Sequence, residues 1–344
     1  GSNWQGTPDL AVDAAGNLYA VWADARNGEG DNDIYFATRP AGGEWSANEV
    51  VADAAGSLEN PRIAVDGDGG VHVVWQDSVE DTIYYATRLG TGVWSTPEQV
   101  CDDEARANDP ALTVGPQGQL FVTWLDYRIN GGEGGSEIFV AERIAGVWSA
   151  DVNVNDYPLW IEQQAPAIAV DPLGNVTLVW QDTREGTADI YFAEHPLAGD
   201  WSANARVGQS GGAASKEWAD FAVDAEGGGY ALWIDDRNEG YDLFFRYRTP
   251  EGVWQPSEQV NRTNPVYFFS QVAIDVDATG RAYAVWASDV PRDVYFAVRS
   301  ITGTWSLEER VNDDIGAAAQ YDPDIAVDDN GNAYVIWSDS RDDV

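Results

Sequence analysis

Residues Pro8 to Asp24 read PDLAVDAAGNLYAVWAD, and six further stretches of the chain follow the same grammar. They begin at Pro61 (PRIAVDGDGGVHVVWQD), Pro110 (PALTVGPQGQLFVTWLD), Pro166 (PAIAVDPLGNVTLVWQD), Ala219 (ADFAVDAEGGGYALWID), Val272 (VAIDVDATGRAYAVWAS) and Pro323 (PDIAVDDNGNAYVIWSD). The tryptophan near the end of each copy, Trp22, Trp75, Trp124, Trp180, Trp233, Trp286 and Trp337, recurs at steps of 49 to 56 residues. A repeat of that length marks an array whose units bury surface against one another. It divides a single domain spanning 1–344 into repeats at about 8–60, 61–109, 110–165, 166–218, 219–270 and 271–322, with a partial one at 323–344.

Each unit has four short apolar runs. Leu10 to Val12 and Leu18 to Trp22 flank the turn residues Asp13 to Asn17, which predicts a hairpin. Ile34 to Thr38 and Trp45 to Val51 follow, and later units repeat them as IYYAT, IFVAE, IYFAE, LFFRY and VYFAV and as Trp-led runs at Trp94, Trp148, Trp201, Trp254 and Trp305. No window has helical periodicity. The expected fold is therefore all-β, a β-propeller of four-stranded antiparallel blades, in which radial repetition protects strand edges. Six units are complete and the seventh stops after two runs, which favours seven blades with an incomplete last one over six. That open blade also offers an edge for self-association.

Gly16, Gly69, Gly118, Gly174, Gly227, Gly280 and Gly331 fall where the tight turn needs positive φ. The aspartates before them, Asp13, Asp66, Asp171, Asp224, Asp277 and Asp328, are expected to accept hydrogen bonds from their own turns, with Gly115 standing in at the third unit.

Composition narrows the partners. The chain carries 58 acidic against 19 basic residues, a net charge of −39, which disfavours nucleic acid and anionic membrane surfaces. Neutral sugars, cations and protein surfaces fit better, although acidic loops also serve simply to keep a protein soluble. Cys101 is the single cysteine, so no internal disulfide or cysteine metal cluster forms. No apolar run is long enough to insert in a membrane. These features suit a secreted or cell-surface protein.

The phrase VDxxGNxYxxWxDxR, followed by DIYFA and a Gly-Gly-x-Trp-Ser turn, resembles the repeats of the sialidase-like, Asp-box family of β-propellers over nearly the whole chain. Its clearest copies are Asp13 to Arg26 with Asp33 to Ala37 and Gly42 to Ser46, and Asp171 to Arg184 with Asp189 to Ala193. The Asp-box itself survives as its end, GGEW at Gly42, GVW at Gly146 and GTW at Gly303. The resemblance implies a propeller, a secreted or surface setting, and members that range from glycosidases to sugar-binding modules and scaffolds, so fold does not fix function. It also implies, for the enzymes, three arginines, a Tyr/Glu nucleophile pair and an acid where first strands begin. In this chain Arg62 is the arginine at such a position, and its counterparts are Asp9, Ala111, Ala167, Asp220 and Asp324.

Site candidates come from the more irregular face, formed by the loops between second and third strands and by the connections between blades. Tyr157, Trp160, Trp218, Tyr267, Phe268, Phe269 and Tyr321 lie in or beside those connections, outside the core pattern. Beside carboxylates and amides they would make a sugar platform, while the competing reading is that they pack between blades. Asp-x-Arg, as in Asp24/Arg26, Asp126/Arg128, Asp182/Arg184, Asp235/Arg237 and Asp339/Arg341, recurs too regularly for a single site and predicts an inter-blade ion pair or loop clamp. No cofactor is called for. Calcium is the one ion that loop acidity admits, at Asp24, Asp31, Asn32 and Asp33 or at Glu133 and Glu137, without a known ligand spacing. His72 and His195 are expected as exposed strand residues rather than zinc ligands. Glu59, Glu162, Glu217 and Asp220 leave room for a carboxylate pair. The resulting expectation is a binding or scaffold module for glycan or protein ligands, leaning away from catalysis, with a sialidase-like hydrolase or polysaccharide lyase as the alternative and a purely structural repeat as the second.

Overall fold

The computed structural model describes residues 4–28, 30–90, 92–102, 106–128, 135–157, 161–208, 214–238, 240–263, 265–266, 271–288, 290, 292–313, 316 and 318–341. Among these residues there is no α-helix, and hence no helix long and apolar enough to cross a membrane. Contacts divide the chain into two units, one running to Glu162 and one from Gln163. The first contains two four-stranded antiparallel sheets and a third whose outer edge is made of two short pieces, Val147–Trp148 and Val152–Asn153, both paired with Glu137–Ile144. The second contains three four-stranded sheets and a two-stranded one, Gln320–Val327 with Ala333–Asp339. The fold is a β-propeller of six full blades and a partial seventh sheet.

Strand order within each sheet follows chain order. In the first unit the first strands Gln5–Val12, Leu58–Val65 and Ala107–Val114 lie side by side; in the second, Gln163–Val170, Lys216–Val223, Val272–Val276 and Gln320–Val327 do so. Second strands such as Leu120–Asp126, Val176–Asp182 and Gly229–Asp235 are buried at every position. Trp75, Trp124, Trp180, Trp233 and Trp286 are among the largest fully buried side chains.

Two boundaries differ from the expectation. First strands start three residues before the proline, at Gln5 rather than at Leu10 for instance, and the residue before the proline forms a bulge with positive φ: Thr7 (47°), Asn60 (48°), Asp109 (53°), Ala165 (47°) and Asp322 (46°). A proline next to a bulge removes a donor that the ladder would leave unpaired. The fourth strand begins after the Trp-Ser pair, at Glu49 in the first blade. The serine replaces a rung of the ladder: Ser46 Oγ accepts the Thr38 amide at 3.1 Å, and Ser95, Ser149, Ser202 and Ser306 repeat the bond at 3.0–3.1 Å.

The tryptophan of that pair reaches into the preceding blade. Trp94, Trp148, Trp254 and Trp305 stand edge-on to Phe36, Tyr85, Phe192 and Phe245 with ring centroids 5.2–5.5 Å apart. Their indole nitrogens are buried without a conventional acceptor, and the edge-on approach offers the aromatic face instead. On the same rings lie Arg88, Arg143, Arg248 and Arg299, which pair with Glu49, Glu98, Glu194 and Glu258 of the preceding blade at 2.8–3.1 Å. This seam of tryptophan, arginine, aromatic ring and glutamate holds neighbouring blades together.

The turn aspartates behave as expected. Asp171 Oδ1 accepts the amides of Leu173 and Asn175, both at 2.8 Å. Burial pushes Asp277 up, but bonds from Thr279, Tyr283 and Arg281 outweigh it and hold the carboxyl down at about 2. At the third unit, Gln119 Oε1 takes the missing carboxylate's place, accepting the Gln117 amide at 3.0 Å above Gly115.

Candidate functional site

Several candidates from the irregular face are engaged by the protein itself. Tyr321 is half-buried; its hydroxyl accepts from Arg292 at 2.9 Å, and its ring lies under the same guanidinium. Trp218 occupies the bulge position with φ 53° and packs against the core shared by the fifth and sixth blades, while its amide donates to Gln181 Oε1 at 3.4 Å. A bulky residue with positive φ is a strained arrangement. Arg62 donates to the Pro61 carbonyl at 3.2 Å and lies near Asp109, whose carboxyl burial pushes up while the guanidinium opposes it. Tyr157 is half-buried. Trp160, Tyr267, Phe268 and Phe269 lie outside the described residues.

The Asp-x-Arg motif closes as a clamp within its own blade, and in two copies the arginine also reaches the preceding repeat, Arg128 to Asp102 at 2.7 Å and Arg341 to Asp313 at 2.9 Å. Asp24, fully buried, accepts from Gln5 Nε2 at 2.7 Å, Trp22 Nε1 at 3.1 Å, the Arg26 amide at 2.9 Å and the Arg26 guanidinium at 2.5 Å. Arg26 then lies 3.8 Å over Tyr35. The set returns at Trp124/Asp126/Arg128 over Phe139, Trp180/Asp182/Arg184 over Tyr191 and Trp233/Asp235/Arg237 over Phe244. Asp24 is thus committed to a guanidinium. Asp31 Oδ1 accepts the Gly56 amide at 3.3 Å and Asp33 Oδ2 accepts from Asn27 at 2.6 Å; burial, with Asp53 and Asp31 nearby, pushes Asp33 up. Among the described residues no three His, Cys, Asp or Glu side chains converge as a metal site.

His72 is buried, not exposed. It stands where other blades have tyrosine, with Nε2 3.1 Å from Asp66 and Nδ1 2.8 Å from the Tyr85 hydroxyl, and burial lowers its pKa. The chemistry it supports is that of Tyr19, Tyr230 and Tyr283, which donate to Asp13, Asp224 and Asp277 at 2.8–2.9 Å. Asp220 is also structural: Oδ2 accepts the Ile274 amide of the next blade at 2.8 Å, as Asp9 does for Ile63 at 2.6 Å.

Two grooves lie on the opposite face, among the VDxxG turns and the turns between third and fourth strands. Between the fourth and fifth blades a groove of about 360 Å³ is lined by Asp171, Asn175, Thr177, Glu194, Phe221 and Arg248, with Ser202, Val223, Gly229 and Glu251 among the rest. Two departures from the repeat create it. Thr177 stands where Tyr19, His72, Phe121, Tyr230, Tyr283 and Tyr334 put a ring. Gly229 stands where other blades have Leu18, Val71, Leu120, Val176, Ala282 and Ala333. A Cβ at Gly229 would come within 2.7 Å of Phe221 Cζ, so the glycine lets the Phe221 ring form the floor. A second groove of about 340 Å³ lies between the fifth and sixth blades, lined by Asp224, Glu226, Tyr230, Tyr247, Thr279 and Arg299, with Ala225, Ile301 and Thr302 at its rim. Both volumes fall in the range of small-molecule sites, about 300–1,000 Å³. The missing ring at Thr177 was visible in the aligned repeats; that Gly229 faces the same space was not.

No protein-family model and no curated protein matches the chain. Solved structures do. An ulvan lyase of polysaccharide lyase family PL25 superposes with a TM-score of 0.67 at 11% identity, covering 97% of this chain and 91% of its own. A Hadza microbial sialidase gives a TM-score of 0.60 at 13% identity over 94% of this chain and 74% of its own. Aleuria aurantia lectin gives 0.55 at 12% identity over 89% and 95%. At such identities the likeness is one of fold, shared by propellers that bind sugars and propellers that cleave them.

Proposed function

We propose that the chain is a carbohydrate-binding propeller, a secreted or cell-surface module that holds an uncharged sugar between its fourth and fifth blades without cleaving it. The observation that carries this reading is that Thr177 and Gly229, two independent departures from the repeat, open on one cavity. An apolar floor of Phe221 and Val223 under a rim of amide, hydroxyl, carboxylate and guanidinium groups suits a pyranose, which has apolar faces and a belt of hydroxyls. The guanidinium of Arg248 is already paired with Glu194, and Asp171, Asp200 and Glu251 add negative charge, which disfavours uronates and sulfated sugars. Asp171 is committed to its turn and Glu194 to Arg248, so these two do not make a carboxyl pair free for hydrolysis.

Calorimetric titration of neutral oligosaccharides tests the reading. Binding is expected for at least one series, and Thr177→Tyr, which returns the repeat's ring to the cavity, should weaken it by more than about tenfold, or 1.4 kcal/mol. Silence towards every neutral sugar, or unchanged affinity in a folded Thr177→Tyr variant, would sink it.

A further inference from the structure

We infer that the two grooves flanking the fifth blade are halves of one cleft, and that the ligand is an extended oligosaccharide crossing that blade rather than a single terminal sugar. The inference rests on the saccharide reading above. A single turn, Asp224 to Gly228, forms the wall between the grooves. Gly227 faces one side, and Asp224, Ala225 and Glu226 face the other. The wall is low, because the residues at its crest are the exposed Ala225 and Glu226 and the half-buried Gly227. A Cβ at Gly227 would meet nothing closer than Asp171 at 3.8 Å.

The two sides are built alike. Arg248 and Arg299 occupy the same register and pair with Glu194 and Glu258 of the preceding blades at 2.8 Å. Gly252 and Gly303 leave room beside those guanidinium groups. Each side has an aromatic surface that the repeat does not supply. In the first groove it is Phe221, in place of the leucine or isoleucine of other blades; in the second it is Tyr247, where other blades carry Thr38, Thr87, Glu142, Glu194 and Val298. Tyr247 lies against Tyr230 with centroids 5.0 Å apart, and Gly228 admits it, since a Cβ there would come within 2.8 Å of its hydroxyl. Thus Gly228 and Gly229, adjacent in sequence, each make room for one ring on opposite sides of the blade.

Packed sheets lie about 10 Å apart, so the grooves sit roughly one blade spacing from each other. A chain of a few sugar units spans that distance. Once one end is bound, the second groove meets the other end at high effective concentration, and affinity rises with length without any new kind of contact.

The experiment is a calorimetric length series, from mono- and di- to tetra- and hexasaccharides, of neutral β-linked glucan, xylan and mannan, with the full chain. A gain of at least about tenfold from di- to hexasaccharide is expected, together with a change from two short ligands per chain to one long ligand. Ala225→Arg, an exposed substitution on the wall, should bring the hexasaccharide down to the affinity of the disaccharide while leaving the melting temperature in place. Equal affinity at all lengths, or two hexasaccharides per chain, overturns the single cleft and leaves the saccharide reading standing. Binding at no length overturns both.

Discussion

The junction between the first and second blades and the junction between the fourth and fifth share one seam, yet the first is filled and the second is hollow. In the first, Asp13 Oδ2 accepts from Asn17 at 2.7 Å and from the Tyr19 hydroxyl at 2.9 Å, and the Tyr19 ring stacks on Phe36. In the second, Asn175 keeps its 2.7 Å bond to Asp171, but Thr177 brings no ring. Trp254, Phe192, Arg248 and Glu194 hold the hollow junction as Trp94, Phe36, Arg88 and Glu49 hold the filled one. Cohesion between blades therefore resides in the seam, and the ring position beside the turn is free to be given up for a cavity.

The largest effect should follow from breaking the seam. Trp305→Ala removes a side chain that is 5% exposed and takes away its edge-on contact with Phe245. A loss of about 3–5 kcal/mol in unfolding free energy is expected by urea denaturation. A loss below about 1 kcal/mol would mean that the seam does not carry the junction. Thr177→Tyr should act in the other direction. It rebuilds the first junction's arrangement in the fourth blade, so thermal stability should rise, by about 1 kcal/mol for a buried ring with a bonded hydroxyl, in the same variant that loses sugar binding. A marked fall in melting temperature would show that the cavity cannot take the ring, and that the two junctions differ by more than one residue.

Most of the fold was legible because it is repeated. Seven aligned copies separate what every blade needs from what one blade has, and the turn glycines, turn aspartates and buried tryptophans fell out of that comparison. Polar geometry was less visible. Asp24 and Arg26 lie two apart, and an alternating strand cannot say whether they close on each other or reach to the next blade; the structure closes them. Inter-blade pairs join residues far apart in the chain, such as Arg88 and Glu49, 39 positions apart, or Arg128 and Asp102. His72 read as exposed because its partner Tyr85 comes from the next strand and its neighbour Asp66 from the turn. The grooves escaped notice because attention to irregular loops overlooks a regular turn in which small residues have replaced large ones. Thr177 breaks the pattern by what it lacks.

A further test, read as a pH slope rather than a single loss, lies at the junction between the sixth and seventh blades, where two carboxylates of one strand and turn are driven apart. Asp275 Oδ2 accepts the Val327 amide of the next blade at 2.7 Å, and Oδ1 accepts the Val276 amide at 2.7 Å. Burial nonetheless pushes its pKa up to about 7, with the charges of Asp220 and Asp277 adding to the rise against the two amides, whereas Asp277 is held at about 2. The folded chain thus keeps a proton at Asp275 that the unfolded chain, with an ordinary value of 3.8, has released. Stability from this group is fully present below about pH 4, is lost as pH rises towards 7, and is flat above, with a slope of at most ~1.4 kcal/mol per pH unit. Asp275→Asn removes the ionisation while keeping one acceptor for the inter-blade amide. Urea melts from pH 5 to 8 should therefore show a shallower pH dependence in the variant than in the parent, with the two curves converging or crossing towards the alkaline end. Parallel curves would mean that the Val327 and Val276 amides already offset the burial of the charge, and that the row of first strands holds ionised carboxylates as easily as the turns do.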